Sequence, residues 1–207
     1  MGRTSNAKER LLDVAFELLW DNSYNSVSID QICSRAGVNK GSFYYFFKTK
    51  ADLAVEAYEA HWQQNQPHLD QLFSPQIAPL DRLVGWCGFV YKSQKDKHTK
   101  TGCVCGCPYA TVGIEVATQD EKIRAKMEDL ISRNLKYLES AIAEAKRAGT
   151  ASVANPKAAA ERVYSLVLGA LLQARVRNDV SLLRNLEPSV MALVGAAGGQ
   201  FDAAKMI

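Results

Sequence analysis

Almost nowhere in this chain do apolar and polar residues alternate; apolar residues recur instead at three- and four-residue steps, the period of a helix buried on one side. That pattern excludes a sheet and predicts an all-α protein of roughly nine or ten helices. The first covers residues 7–21, with Leu12, Ala15, Phe16 and Leu19 on one stripe and Lys8, Arg10, Asp13, Glu17 and Asp21 mostly away from it. Ser28 and Gln31 have capping-box spacing for a short second helix, with Ile29 and Ile32 inward and Gly37 at its end. A third helix, shorter still, runs from Asn39 as N-cap to Phe46. Thr49 and Asp52 offer another capping box for a fourth helix through Leu53, Ala57, Tyr58 and Trp62 toward Gln66.

Pro67, Pro75 and Pro79 then break the pattern. Beyond them one helix is expected over 80–95, and a polar, then Gly- and Cys-rich stretch over 95–107 reads as a flexible loop. Pro108 suits the first position of a short helix through Tyr109 and Ile114. Thr118 and Glu121 form a capping box for a long helix carrying Ile123, Met127, Leu130, Leu135, Leu138 and Ile142 down to Gly149. Asn155 and Pro156 are a cap and first position for a helix of small and branched residues, and a final helix is expected from near Pro188 to the Gly198–Gly199 pair. This divides the chain into an N-terminal three-helix unit, residues 1–50, and a C-terminal helical unit, residues 51–207, with helix four (about 50–66) joining them.

The most apolar stretch, 163–172, is too short to span a bilayer and holds Tyr164 and Ser165. The first residues run into Lys8, Glu9 and Arg10 without an apolar segment, so a cytoplasmic location is expected. Five cysteines, an odd number, argue against a disulfide framework.

The overall charge of +3 decides nothing, but its distribution does. Between positions 35 and 50 the charged residues are Arg35, Lys40, Lys48 and Lys50, four cations and no acid. Helix two, a Gly37-Val38 turn and a small basic helix three make a helix-turn-helix, in which the N-terminal end of helix three enters a major groove. Phe43 and Phe47, four apart, would anchor that helix, leaving Lys40, Ser42, Tyr44 and Tyr45 toward DNA. The free N–H groups where helices begin, near Ser28, Lys40 and Lys50, suit phosphate. Singly, each of these lysines could be a solvated charge and each tyrosine an ordinary aromatic; their joint spacing favours duplex DNA.

The run from Glu9 to Trp62 resembles the DNA-binding domain of the TetR/AcrR family of transcriptional regulators. Within it the match is carried by Ala36-Gly37-Val38-Asn39-Lys40-Gly41-Ser42-Phe43-Tyr44-Tyr45-Phe46-Phe47-Lys48-Thr49-Lys50, by Leu12-Asp13-Val14-Ala15 and by Ser28-Ile29-Asp30-Gln31-Ile32. The resemblance implies a homodimeric, ligand-responsive repressor released from a palindromic operator by a small molecule or reactive electrophile. It implies DNA contacts from Ser28, Asn39, Lys40, Gly41, Ser42, Tyr44, Tyr45, Lys48 and Lys50. Three departures are visible: Asn39 for the usual Ser or Thr, Lys48 where proline is common, and Phe46 for a frequent polar residue. The last two long helices would form the dimer, with Ala170, Ala174, Gly195, Ala196 and Ala197 allowing close approach and Val163, Leu166, Leu193 and Val194 supplying bulk.

The same resemblance implies a ligand pocket between helix four and the regulatory helices. Candidates are Tyr58, His61, Trp62, Trp86, Phe89, Tyr109, Met127, Asn134 and Tyr164, of which under half are expected to line a cavity. The unusual feature is Cys103-x-Cys105-x-Cys107 before Pro108. Either Cys103 or Cys107 is a low-pKa thiolate sensing an oxidant or electrophile, favoured by a helix N-terminus and by Lys97 or Lys100, or the three thiolates, with His98, bind a soft metal, or all three simply pack. Some members of the family carry a reactive cysteine in a similar Gly-Cys setting. Cys33 and Cys87 read as core. No cofactor is expected, and no metal ligand is assigned. The sequence contains no phosphate loop, dinucleotide fingerprint or nucleophile elbow, so an enzyme is not expected; a thiol enzyme using Cys103 and His98 is the remaining catalytic alternative.

Overall fold

The computed structural model describes residues 3–196, and among them there is no strand. The helices are α1 (Arg3–Asp21), α2 (Ile29–Ala36), α3 (Lys40–Phe46), α4 (Lys50–Leu72), α5 (Pro79–Thr101), α6 (Pro108–Val116), α7 (Glu121–Arg147), α8 (Pro156–Arg177) and α9 (Leu186–Leu193). A 3-10 segment, Val180–Asn185, leads into α9.

The small N-terminal unit forms as its sequence dictates. Ser28 Oγ accepts from the Gln31 N–H at 3.2 Å while Gln31 Oε1 accepts from the Ser28 N–H at 2.7 Å, closing the capping box. Gly37 ends α2 at φ 62°, a left-handed conformation that costs a β-carbon-bearing residue dearly. Asn39 Oδ1 accepts from the Ser42 N–H at 2.8 Å and starts α3, a cap worth about 1 kcal/mol. Leu11, Ala15, Leu19, Ile32, Phe43 and Phe47 close the core between α1, α2 and α3, and Cys33 is buried with them.

α1 lies along α4, α7 packs on α5, α6 and α8, and α9 closes against α5 and α8. Several boundaries differ from the sequence expectation. α1 begins at Arg3. α4 does not stop at Gln66 but runs through Pro67 to Leu72. A proline removes one backbone bond, and burial of Leu69 and Phe73 beyond it offsets that loss. α5 continues past Lys95 to Thr101, so the expected long loop shrinks to residues 102–107. Its inward residue there is Lys97, next after the buried Gln94, and no hydrophobic periodicity can reveal either. α7 is capped by Asp120, which accepts from the Ile123 N–H at 3.1 Å, rather than by Thr118. α9 starts at Leu186 and ends at Leu193; the Gly198–Gly199 end and Ala197 lie outside the described residues.

The expected dimer residues also divide. Val163, Ala174 and Val194 are completely buried inside the protomer and present nothing to a partner. Gly195, at φ 60°, sits so close to the Ser152 carbonyl that an added β-carbon would stand 2.9 Å from it. The apolar side chains that α8 turns to solvent are Leu172 and Val176, which the sequence reading passed over.

Candidate nucleic-acid interface and internal cavity

α3 is anchored by its aromatic face and bare on the other. Phe43 and Phe47 are buried, whereas Tyr44 and Tyr45 are 56% and 77% exposed, beside exposed Lys40, Gly41 and Lys48 and half-buried Ser42. Phe46 lies half-buried against the Tyr45 ring. The basic window is less free than its count suggests. Lys40 Nζ lies 2.6 Å from Asp30 on α2, and Arg35 pairs with Glu17 on α1 at 3.3 Å.

Lys50 turns inward. Its ammonium donates to the carbonyls of Tyr24 (2.8 Å) and Val27 (2.9 Å) and stands 4.1 Å from the Tyr24 ring centre, which leaves one N–H for any phosphate. Burial lowers its pKa. Ser28 stays exposed at the start of α2.

Among the contacts that hold this unit to the rest of the chain, two lie at the end of α1 and the turn after it. The Glu115 carboxylate on α6 accepts from Ser23 Oγ (2.5 Å) and from the N–H groups of Tyr24 (2.7 Å) and Asn25 (2.8 Å), capturing the turn between α1 and α2. At the end of α1, Asp21 pairs with Lys97 of α5 at 2.5 Å, and Lys97 also stands 4.7 Å from the Trp20 ring centre.

The cysteine loop wedges into the second of these contacts and is not flexible in the way its glycines suggest. Trp20 Nε1 donates to the Gly106 carbonyl at 2.9 Å, and Gln94 bonds both the N–H and the carbonyl of Gly106. Arg175 donates to the Cys105 carbonyl, and Asn178 bonds the Val104 N–H and the Gly102 carbonyl. Cys103 is exposed; Cys105 is buried, its thiol 3.7 Å from Asp21 Oδ1; Cys107 lies at the N-terminus of α6, 3.9 Å from the Tyr164 hydroxyl. Burial, with Asp21 adding to it, pushes the Cys105 thiol up. Burial also outweighs the α6 backbone N–H groups at Cys107, so the expected low-pKa thiolate is not found there. Among the described residues no group of three or more His, Cys, Asp or Glu side chains is arranged to hold a metal ion.

A cavity of about 730 Å³ opens above the loop, bounded by α1, α4, α5, α6, α7 and α8. Six of the nine expected residues line it: His61, Trp86, Phe89, Tyr109, Asn134 and Tyr164. Three do not. Tyr58 is fully buried behind the wall with an unpartnered hydroxyl, Met127 sits in the core, and Trp62 faces the other side of α4. Cys107 is part of the lining, as are Leu12, Phe16 and Trp20 of α1. The His61 ring stacks on Phe16 with centroids 3.6 Å apart. Burial, then the Lys97 charge, holds its pKa down at about 4, so the imidazole is neutral.

Residues 11–57 match the family model described as bacterial regulatory proteins of the tetR family, and residues 79–188 match the tetracyclin repressor-like C-terminal domain. The chain belongs to the TetR family. It is 28% identical over 182 residues to an uncharacterized HTH-type transcriptional regulator of Lactococcus lactis, covering 87% of this chain and 89% of that one. It is 29% identical over 174 residues to the transcriptional regulator AcuR of Cereibacter sphaeroides (83% and 78% covered). It is 24% identical over 182 residues to the HTH-type transcriptional repressor NemR of Escherichia coli (87% and 89%). The solved structure of NemR in its reduced form superposes with a TM-score of 0.80, covering 93% of this chain and 99% of that one at 23% identity.

Sequence reasoning missed the polar residues that hold the end of α1 and the cysteine loop in place in this TetR-family chain. Asp21, Gln94, Lys97, Glu115, Arg175 and Asn178 are polar positions on helices or at their ends, and read singly they look like solvent-facing residues. Only their partners, 12 to 91 residues away in the chain, reveal what they do. Among the described residues no helix is long and apolar enough to cross a membrane.

Proposed function

We propose that this TetR-family regulator is a cytoplasmic repressor that binds a palindromic duplex operator as a homodimer and lets go when a small molecule or reactive electrophile is captured. The observation that carries it is the shared cavity wall: Leu12, Phe16 and Trp20 belong to the helix that backs the DNA-binding unit, and they face the same space as Trp86, Tyr109 and Tyr164. An occupant that favours one spacing of these helices over another shifts the DNA-competent population by its difference in affinity for the two. On the DNA side, Lys40, Gly41, Ser42, Tyr44 and Tyr45 would meet the groove, and Ser28, Asn39, Lys48 and Lys50 would support phosphate contacts. Exposed Leu172 and Val176 suit the partner subunit. The repressor name of the NemR relative supports the sign of control.

For the cysteines, the electrophile reading is favoured by position. Cys107 faces the cavity and Cys103 faces solvent, on a loop bonded to Trp20. The metal reading has no converging thiols behind it, and the thiol-enzyme reading has no hydrogen bond between Cys103 and His98 among the described residues.

Electrophoretic shift and footprinting on the DNA upstream of the protein's own gene test this proposal. Binding is expected to fall steeply with salt, and Lys40→Ala and Tyr44→Ala to weaken it without changing the melting temperature. A footprint unchanged by both substitutions overturns the interface. An electrophile is expected to release wild type but not Cys103→Ser/Cys105→Ser/Cys107→Ser; equal release of both removes the loop as sensor.

A further inference from the structure

On the opposite face of α4 from the main cavity lies a second recess, of about 560 Å³, between α4, α5 and α7. Its volume falls within the range of small-molecule sites. Trp62, Phe73 and Tyr137 form its apolar wall, with Tyr137 placed 5.1 Å from Phe73 and 6.4 Å from Trp62 between ring centres. The polar wall is made of Arg82, Arg133 and Lys136, with Gln66 and Ser140, and no carboxylate lines it.

The three cations differ in how they are held. Arg82 is 2% exposed, a rare degree of burial for arginine; its Nε donates to the Ile77 carbonyl at 2.8 Å and its Nη2 meets Glu144 at 2.8 Å. No described residue accepts from its Nη1. Arg133 is shared between Glu59 and Asp129, which fix its guanidinium 5.7 Å from the Trp62 ring centre. Lys136 forms no ion pair among the described residues. Donors therefore outnumber acceptors along a wall that faces an aromatic floor.

We propose that this recess is a second ligand site, distinct from the main cavity, and that it takes a one- or two-ring aromatic anion such as an aromatic carboxylate. The ring would lie against Trp62, Phe73 and Tyr137. The carboxylate would meet the exposed Lys136 ammonium at the rim and the Nη1 edge of the Arg82 guanidinium, both of which supply charge-assisted donors. A neutral ring would offer these donors no charged acceptor, so the site discriminates by charge.

Titration calorimetry with 2-naphthoate and its uncharged counterpart 2-naphthamide tests the site on the full chain. Naphthoate is expected to bind at least tenfold more tightly than naphthamide. Lys136→Glu, an exposed change that leaves every described ion pair intact, is expected to weaken naphthoate at least tenfold with an unchanged melting temperature. Phe89→Ala, in the wall of the main cavity, is expected to alter it less than twofold. Equal affinities for the two probes overturn the preference for an anion. Loss of binding through Phe89→Ala but not Lys136→Glu assigns the ligand to the main cavity and overturns the second site. No naphthoate binding at millimolar concentration overturns it as well. None of these readings depends on DNA binding, so the site stands or falls independently of the repressor assignment.

Discussion

The indole N–H of Trp20, in the last turn of α1, donates to the carbonyl of Gly106, 86 residues further along the chain, at 2.9 Å. With the Cys105 thiol on Asp21, that bond ties α1 to the loop carrying Cys103, Cys105 and Cys107. Trp20→Phe keeps the apolar ring but deletes the donor and weakens the Lys97 stacking. It is expected to cost about 1–2 kcal/mol in chemical denaturation. It is also expected to reduce release from DNA by a thiol reagent more than it reduces DNA affinity itself. Equal loss of both would show that the bond serves stability alone.

Glu115 makes the other tie, and it predicts an acid sensitivity. Burial works to raise its pKa, but bonds from Ser23, Asn25 and Tyr24, with the Lys50 charge, together hold it below the ordinary glutamate value of 4.5. A depressed carboxylate contributes stability that is complete above the unfolded value and fades as pH falls through the folded one. Loosening of the turn between α1 and α2 is therefore expected below about pH 4.5. Glu115→Gln is expected to lose about 1–3 kcal/mol at neutral pH and to speed hydrogen exchange at Tyr24 and Asn25.

His61 acts in a different window. Its folded pKa of about 4 lies below the ordinary value of 6.5 in the unfolded chain, so between these values the unfolded chain binds a proton that the folded chain refuses. Stability is then expected to rise with pH from about 4 to 6.5 and to be flat above, by at most about 3 kcal/mol. In His61→Phe, which preserves stacking on Phe16, this slope should vanish from denaturation curves taken across that range.

In the proposed interface Asp30 would compete with DNA for Lys40. Because the pair is exposed, it adds little to the fold, yet the carboxylate stands beside the face proposed to meet phosphate. Asp30→Asn is expected to raise operator affinity several-fold at low salt, whereas Lys40→Ala should lower it and reduce the slope of log affinity against log salt by about one. Fluorescence anisotropy over a salt series reads both.

Thiol accessibility should follow burial. Cys103 is expected to alkylate first in the native protein and Cys107 more slowly. Cys87, whose pKa burial pushes up to about 12, should react only on unfolding. Intact-mass and peptide mass spectrometry after timed alkylation gives the order.

The local sequence by itself determined the helices with strong caps and clean stripes. Ser28 with Gln31, Gly37, Asn39 and Asn155 with Pro156 each act within four residues, so the physics that starts or stops those helices is contained in the motif. The exposed Tyr44 and Tyr45 follow as directly, because anchoring Phe43 and Phe47 leaves a short helix no other way to turn. Where helices carried polar residues inward, as α5 does at Lys97, or ran through a proline, as α4 does, the stabilising partners lay outside the local pattern and it misread the boundary. Tertiary structure alone decided which aromatics face the cavity, why Tyr58 and Trp62 do not, and that Glu115, Trp20 and Asp21 join the two units. Each of these depends on hydrogen bonds and packing between residues about forty to ninety apart, and a one-dimensional pattern holds no record of which distant group arrives beside which.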